Sequence, residues 1–177
     1  MLKESIVRFD TAITTSVHQW PGWLYGPMWL ATTLGHPASM LLLSLGIGWY
    51  AWEHGYKAVT YSFAAATAAM LLNTLLKHYI HRPRPDTLYV SNMYFKTASF
   101  PSGHAFGAMI VLGLAAYLAV KYMPHPWNIA ASILLGLGIF LVGISRVYLG
   151  AHYPTDVIAG WVLGAFCLAI IIVFVKP

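Results

Sequence analysis

Three clusters in this sequence hold residue types suited to anion binding and group transfer. The first is Lys77-His-Tyr-Ile-His-Arg82-Pro-Arg84-Pro85, the second Pro101-Ser102-Gly103-His104, and the third runs from Ser145-Arg146 through His152 to Asp156. His152 and Asp156 are four residues apart, so one helical turn brings them side by side. A carboxylate bonded to one ring nitrogen fixes the imidazole tautomer and leaves the other nitrogen free to attack. A satisfied structural His–Asp pair has the same spacing. Arg146 can hold phosphate-like oxygens in a bidentate fork. Ser102 suits the N-cap of a helix starting near Gly103, and backbone amides at such an end face an anion. Gly103 permits close approach, and His104 projects from the first turn. An ordinary cap beside an interfacial histidine fits the same residues. Arg82 and Arg84 alternate with prolines, which makes the backbone extended and stiff. Both fit an anion site, and both fit charges snorkelling at a membrane boundary.

The elements that must position these residues are apolar. The 177-residue chain is 59% hydrophobic and only 8% charged, against roughly 25% charged residues in ordinary soluble domains. With a mean hydropathy of +0.66, its solvent is the bilayer. The net charge of +5 is concentrated in the clusters. That indicates local anion binding and excludes the broad basic face a nucleic acid needs. The single cysteine, Cys167, lies in an apolar run and behaves as a packing residue. No cleavable signal peptide is expected, because the first twenty residues lack a central apolar stretch.

Residues 1–20 predict an amphipathic helix, with Leu2, Ile6, Phe9, Ile13, Val17 and Trp20 on one face. It lies either in the membrane interface, anchored by Trp20 and Trp23, or packed on the protein. A short apolar piece, Pro27 to Leu34, ends at Gly35-His36-Pro37. Apolar runs follow at 37–52, 58–76, 105–123, 127–145 and 157–175. Four of them have about the 19–20 residues that cross a bilayer core. The Pro27–Leu34 piece is available to extend the shorter first run. Gly103, Gly107, Gly136, Gly138, Gly160 and Gly164 suit close helix contacts, and Asn73 suits an interhelical hydrogen bond. Counting spans puts the charged segments 77–104 and 146–156 on one membrane face. The chain is expected to be a single domain over residues 1–177. Residues 1–36 form an interfacial segment and 37–177 a transmembrane core.

The clusters together read Lys-x6-Arg-Pro, Pro-Ser-Gly-His and Ser-Arg-x5-His-x3-Asp, from Lys77 to Asp156. In this the chain resembles the type 2 phosphatidic acid phosphatases, whose superfamily includes the vanadium haloperoxidases. The resemblance implies that His152 attacks phosphorus and forms a phosphohistidine, with Asp156 orienting it. His104 would protonate the leaving alcohol and then activate water. Lys77, Arg84 and Arg146 would hold the phosphoryl oxygens, helped by Ser102 and the Gly103 amide. It implies no metal and no cofactor; beyond Asp156, the only acidic residue near the clusters is Asp86. Arg82 falls outside the family positions and is expected to face water, with a second phosphate or lipid headgroups as the alternatives. His78 and His81 are expected to be interfacial, and His18, His36, His54 and His125 have no assigned role. The resemblance also implies six spans and an active site on the extracytoplasmic side of the inner (cytoplasmic) membrane. Five spans are visible here, so a second copy or a partner helix is expected beside residues 1–20 in place of the first.

The expected architecture is therefore all-α, a polytopic membrane bundle of about five spans plus an amino-terminal interfacial helix. The expected substrate is a lipid phosphate monoester or diphosphate of the undecaprenyl diphosphate, phosphatidylglycerophosphate or phosphatidic acid class. A lipid-linked phosphotransferase using the same residues, and a non-catalytic lipid-binding or transport protein, are the alternatives.

Overall fold

The computed structural model describes residues 2–77, 79–93 and 97–177, excluding the side chains of Leu2 and Lys3. His78, expected at the interface, lies outside the described residues. The elements run α1 Leu2–His18, a short 3-10 turn at Gly22–Leu24, α2 Tyr25–Leu34, α3 Pro37–Glu53, α4 Lys57–Leu76, α5 Leu88–Ser91, α6 Gly103–Tyr122, α7 Trp127–Tyr148 and α8 Pro154–Val175. The described residues contain no strand.

Helices α4, α6, α7 and α8 are each long and apolar enough to cross a membrane. The Gly22–Leu34 and Pro37–Glu53 segments meet at 49° and together are long and apolar enough for a fifth span, a geometry shared by a broken span and a re-entrant loop. Gly35 and His36 form the break, where Pro37 opens α3 and His36 caps it by accepting from the Ala38 amide at 3.1 Å. The Pro27–Leu34 piece thus joins the first apolar run through a corner. Trp20, Trp23 and Tyr25 are exposed at one end, and Trp49, Trp52, Tyr56, Tyr122 and Trp127 at the other. Such paired aromatic belts mark the two bilayer interfaces.

Helix α6 is the central stave, with Ala105, Ala108, Ile110, Val111 and Leu114 inaccessible to solvent. Phe63, Ala66 and Met70 of α4, Met40 of α3 and Ile171 of α8 close around it. Small residues permit the closest approach. A side-chain carbon at Gly160 would lie 2.7 Å from the Ser102 carbonyl, and one at Gly164 2.9 Å from Met109 Cβ. Gly136 has nothing within 4 Å, so it makes no close helix contact. Asn73 also departs from expectation, since its buried Oδ1 has no partner among the described residues. Polar links between α3 and α4 are made by Ser44, which donates to the Phe63 carbonyl at 3.0 Å, and by Thr60, which donates to the Gly48 carbonyl at 3.2 Å.

Helix α1 packs on the protein, the second of the two readings of residues 1–20. Asp10 and Val17 are buried on α7 and α8, while Ile6, Phe9 and Ile13 stay exposed. The helix thus docks through Asp10 and Val17, the latter against Ala105, Val147 and Val157, and leaves Ile6, Phe9 and Ile13 outward.

Candidate active site

Local sequence chemistry brings Arg146 and His152 together. Helix α7 ends in a Schellman turn: the Gly150 amide donates to the Val147 carbonyl and the Ala151 amide to the Arg146 carbonyl, both at 2.9 Å. Gly150 sits at φ 69°, where a side chain is strained, and a Cβ there would lie 2.7 Å from Thr87 Cγ2. The reversed chain lets the His152 amide reach the same Arg146 carbonyl at 3.2 Å. Pro154 then opens α8, and Asp156 in its first turn accepts from the Tyr153 amide at 3.0 Å.

Lys77, Arg84, Gly103, His104, Arg146 and His152 line one cavity of about 350 Å³, joined by His36, Pro37, Tyr89, Met93 and Thr97. Asp156 stands behind His152, its Oδ2 3.5 Å from the ring Nδ1. The Ser99 hydroxyl donates to that same oxygen. On the cavity side, Arg84 Nη1 lies 3.1 Å from His152 Nε2. A guanidinium only donates, so Nε2 carries the lone pair and Nδ1 the proton, facing Asp156. The tautomer that leaves a nucleophilic nitrogen in the cavity is thereby fixed.

The cations of the cavity are held by neutral acceptors. Lys77 donates to the carbonyls of Ala98 (3.1 Å) and Pro101 (2.6 Å). Arg84 donates to the carbonyls of Thr97 (2.8 Å) and Ala151 (2.9 Å). Arg146, 1% exposed, bonds Thr32 Oγ1 and the Tyr89 hydroxyl, and its Nε has no partner. Among the described residues no carboxylate pairs with any of the three. Burial, then the neighbouring Arg84, lowers the Lys77 ammonium to about 8. Burial and Arg146 likewise lower Arg84. His152 is lowered to about 3, chiefly by burial and then by Arg146, Arg84 and Lys77, against the opposing bond to Asp156. It is neutral at physiological pH. Uncompensated buried charge is costly unless an opposite charge joins it. The arrangement therefore favours an oxyanion beside a neutral imidazole.

Two expectations change. Ser102 does not line the cavity; it is fully buried, and its hydroxyl accepts from the Ala105 amide at 3.5 Å as the cap of α6. It holds the helix end that presents Gly103 and His104. Arg82, though partly exposed, does not stand free in water. It bonds Asp10 at 2.6 Å and Asp156 at 2.7 Å and lies 4.3 Å from the centroid of the Tyr153 ring. Sequence reasoning missed Thr32, His36, Tyr89, Thr97 and Ser99. Only His36 carried a signal, the Gly-His-Pro break between apolar runs. Its ring meets that of His104 edge-on at 5.3 Å. Among the described residues no group of three His, Cys, Asp or Glu is arranged to hold a metal ion.

Fold and site together define a multi-pass membrane phosphatase. The PAP2 superfamily model matches residues 57–177. Phosphatidylglycerophosphatase B of Bacillus subtilis is 36% identical over 146 residues, 80% of this chain and 70% of that protein. The undecaprenyl-diphosphatase BcrC of the same organism is 31% identical over 136 residues, 75% of this chain and 63% of that one. The crystal structure of a transmembrane PAP2-type phosphatidylglycerolphosphate phosphatase from Bacillus subtilis superposes with a TM-score of 0.83 at 32% identity, covering 97% of this chain and 87% of that one. The chain belongs to the PAP2 superfamily, on its membrane lipid phosphatase side.

Proposed function

We propose that this chain hydrolyses a lipid phosphate monoester or diphosphate in two steps through a phosphohistidine on His152. The observation that carries the reading is that three cations without carboxylate partners and the lone pair of His152 Nε2 share one cavity. In the first step Nε2 attacks phosphorus and the bond from phosphorus to the leaving oxygen breaks. His104 gives that oxygen its proton. In the second, His104 takes a proton from water, the oxygen attacks phosphorus, and the phosphorus–nitrogen bond breaks to release inorganic phosphate. Lys77, Arg84 and Arg146 hold the phosphoryl oxygens as charge builds, with the Gly103 amide at the start of α6. Asp156 fixes the tautomer and stabilises the charged ring.

An apolar cavity of about 590 Å³ supports a lipid substrate. It is lined by Leu30, Leu34, Met40, Leu43, Leu141 and Val142 and reaches Gly35 at the α2–α3 break, next to His36 of the polar cavity. Phosphatidylglycerophosphate, undecaprenyl diphosphate and phosphatidic acid all combine such a tail with a phosphate. A panel of these lipids, assayed for phosphate release with a chelator present, tests the reading. Loss of release in chelator overturns the metal-free mechanism. Release only with an added lipid or sugar acceptor would make the enzyme a phosphotransferase. Unchanged release by His152→Ala would overturn the phosphohistidine.

The site is assigned to the extracytoplasmic face of the inner (cytoplasmic) membrane, with residues 1–177 acting as one catalytic unit. Labelling of a cysteine introduced at exposed Leu88 by an impermeant reagent in intact cells tests the sidedness. A second copy or a partner helix is proposed to cover part of the exposed apolar surface. Crosslinking in membranes that yields monomer alone would remove that proposal.

A further inference from the structure

Arg82 lies in the first cluster but outside the family positions, and Asp10 lies far from the clusters in sequence, yet both are wired to the reaction centre. Asp10 is 3% exposed, in the middle of α1. Its Oδ1 accepts from the Thr155 amide at 2.9 Å, and its Oδ2 accepts from the Thr155 hydroxyl at 2.8 Å and from Arg82 Nη2 at 2.6 Å. The other arm of Arg82, Nη1, donates to Asp156 Oδ1 at 2.7 Å and to Thr155 Oγ1 at 2.8 Å. The Arg82 carbonyl accepts from the Ser99 amide at 2.9 Å, and Ser99 is the residue whose hydroxyl bonds Asp156 Oδ2. Arg82 therefore constrains both carboxylate oxygens, one through its side chain and one through its backbone. Asp10 in turn constrains Arg82.

We infer that Asp10 and Arg82 are positioning residues, which set the Asp156 carboxylate against His152 and make the docking of α1 a condition of full catalytic rate. The chain of contacts runs Asp10, Arg82, Asp156, His152 without a gap. A bridge needed only to attach α1 would require one strong contact between Asp10 and α8, and Thr155 already supplies two. The guanidinium is the member that extends the network to Asp156. A forked, planar cation can bond two carboxylates at once, and an ammonium cannot reproduce that geometry. The exposed apolar face of α1, at Ile6, Phe9 and Ile13, means that whatever seats this helix also seats the network.

The proposal rests on the phosphohistidine reading, so the experiment has two arms. The first confirms with His152→Ala that phosphate release needs His152; if it does not, that reading fails and not this one. The second measures kcat, KM and thermal stability of the full-length protein for Asp10→Asn, Thr155→Val, Arg82→Lys and Arg82→Gln on one lipid phosphate. Asp10→Asn keeps the size of the side chain and an acceptor for the Thr155 amide, but turns an NH2 donor toward Arg82 Nη2 and the Thr155 hydroxyl in place of the accepting Oδ2. It should lower kcat about tenfold with KM within twofold, as loss of an orientation made in the transition state does. Arg82→Gln should lose more, and Arg82→Lys should recover only part.

The pH profile separates positioning from mere folding. The charged or titratable groups around His152 are Lys77 after α4, Arg82 and Arg84 in the loop, His104 in α6, Arg146 in α7 and Asp156 in α8. His36 at the α2–α3 break and Tyr89 in α5 line the same cavity. Asp10→Asn leaves the positive charge of Arg82 less compensated, so the acid limb of kcat should move to lower pH. Arg82→Gln removes that charge and should move the limb to higher pH. Opposite shifts support the network. If Asp10→Asn leaves both kcat and the acid limb unchanged, the inference is overturned, whatever happens to melting temperature.

Discussion

Arg82 and Arg84 are two residues apart on the same proline-stiffened segment, yet their guanidinium groups end in opposite electrostatic settings. Arg82 reaches behind His152, where Asp10 and Asp156 both meet it within 2.7 Å. Its bonds to these carboxylates outweigh burial and hold it above its ordinary protonation range. Arg84 reaches in front of His152, where Lys77 and Arg146 line the same cavity. Its partners there are carbonyls, a hydroxyl and the ring itself. Burial holds Arg84 below its range. One side of the imidazole is a closed ionic structure and the other concentrates positive charge. The difference separates groups that hold the protein together from groups poised for an anion.

The largest expected effect breaks the front side. His152→Ala should lower phosphate release by about a thousandfold or more, since it removes the nucleophile rather than a helper. Retention of a tenth of the wild-type rate, measured on purified protein, would show that the cation cavity is not where the reaction occurs.

The next effect crosses the two arginines. Arg84→Met should lower kcat/KM by about a hundredfold or more, as loss of one preorganised charge donor does, while thermal stability stays close to wild type. Arg82→Met should do the reverse in emphasis. It strands two buried carboxylates, a cost of about 3–5 kcal/mol for breaking a buried pair, so the melting temperature falls steeply. Equal stability losses for the two variants, measured by thermal unfolding in one detergent, would erase the distinction.

How much of this was legible in the sequence differs between the two sides. The front side was legible because its residues sit in compact motifs. Lys77, Arg84, Gly103, His104, Arg146 and His152 meet in one cavity, and Ser102 caps α6 as its sequence suggests, without lining that cavity. The back side was not. Asp10 lies 146 residues before Asp156, on a helix whose hydrophobic pattern drew attention to Ile6, Phe9, Ile13 and Val17, and of these four residues Val17 alone is buried. The buried stripe of α1 is set by Asp10 and Val17, and no periodicity rule finds a helix that docks through a carboxylate. Arg82 was placed in water for the same reason, because its partner is tertiary. The spans were legible from length and apolar composition, including the one completed by Pro27–Leu34. The 49° corner was marked by Gly35-His36-Pro37, but that it brings His36 to His104 was not.

A smaller effect tests the turn that joins the two sides. Gly150→Ala places a Cβ in the left-handed region and against Thr87. The strain should cost about 1–3 kcal/mol and shift His152, whose amide bonds the Arg146 carbonyl, relative to the Arg146 side chain. A variant that melts as wild type does would show that the turn relaxes without strain.

The smallest effect concerns Lys77, and its sign follows from linkage. The Lys77 ammonium is lowered to about 8 in the fold, against 10.5 ordinarily. Between those values the unfolded chain binds more protons than the native one, so this group makes stability rise with pH across that window. An anion in the cavity favours the charged ammonium and cancels the rise. Without phosphate, the melting temperature of wild-type protein should therefore gain on Lys77→Met between about pH 8 and 10. With saturating inorganic phosphate that gain should disappear, and the stabilisation by phosphate should be smaller at pH 9 than at pH 7. A phosphate effect of the same size at both pH values would mean that Lys77 is not among the groups that hold the anion, leaving Arg84 and Arg146 to do so alone.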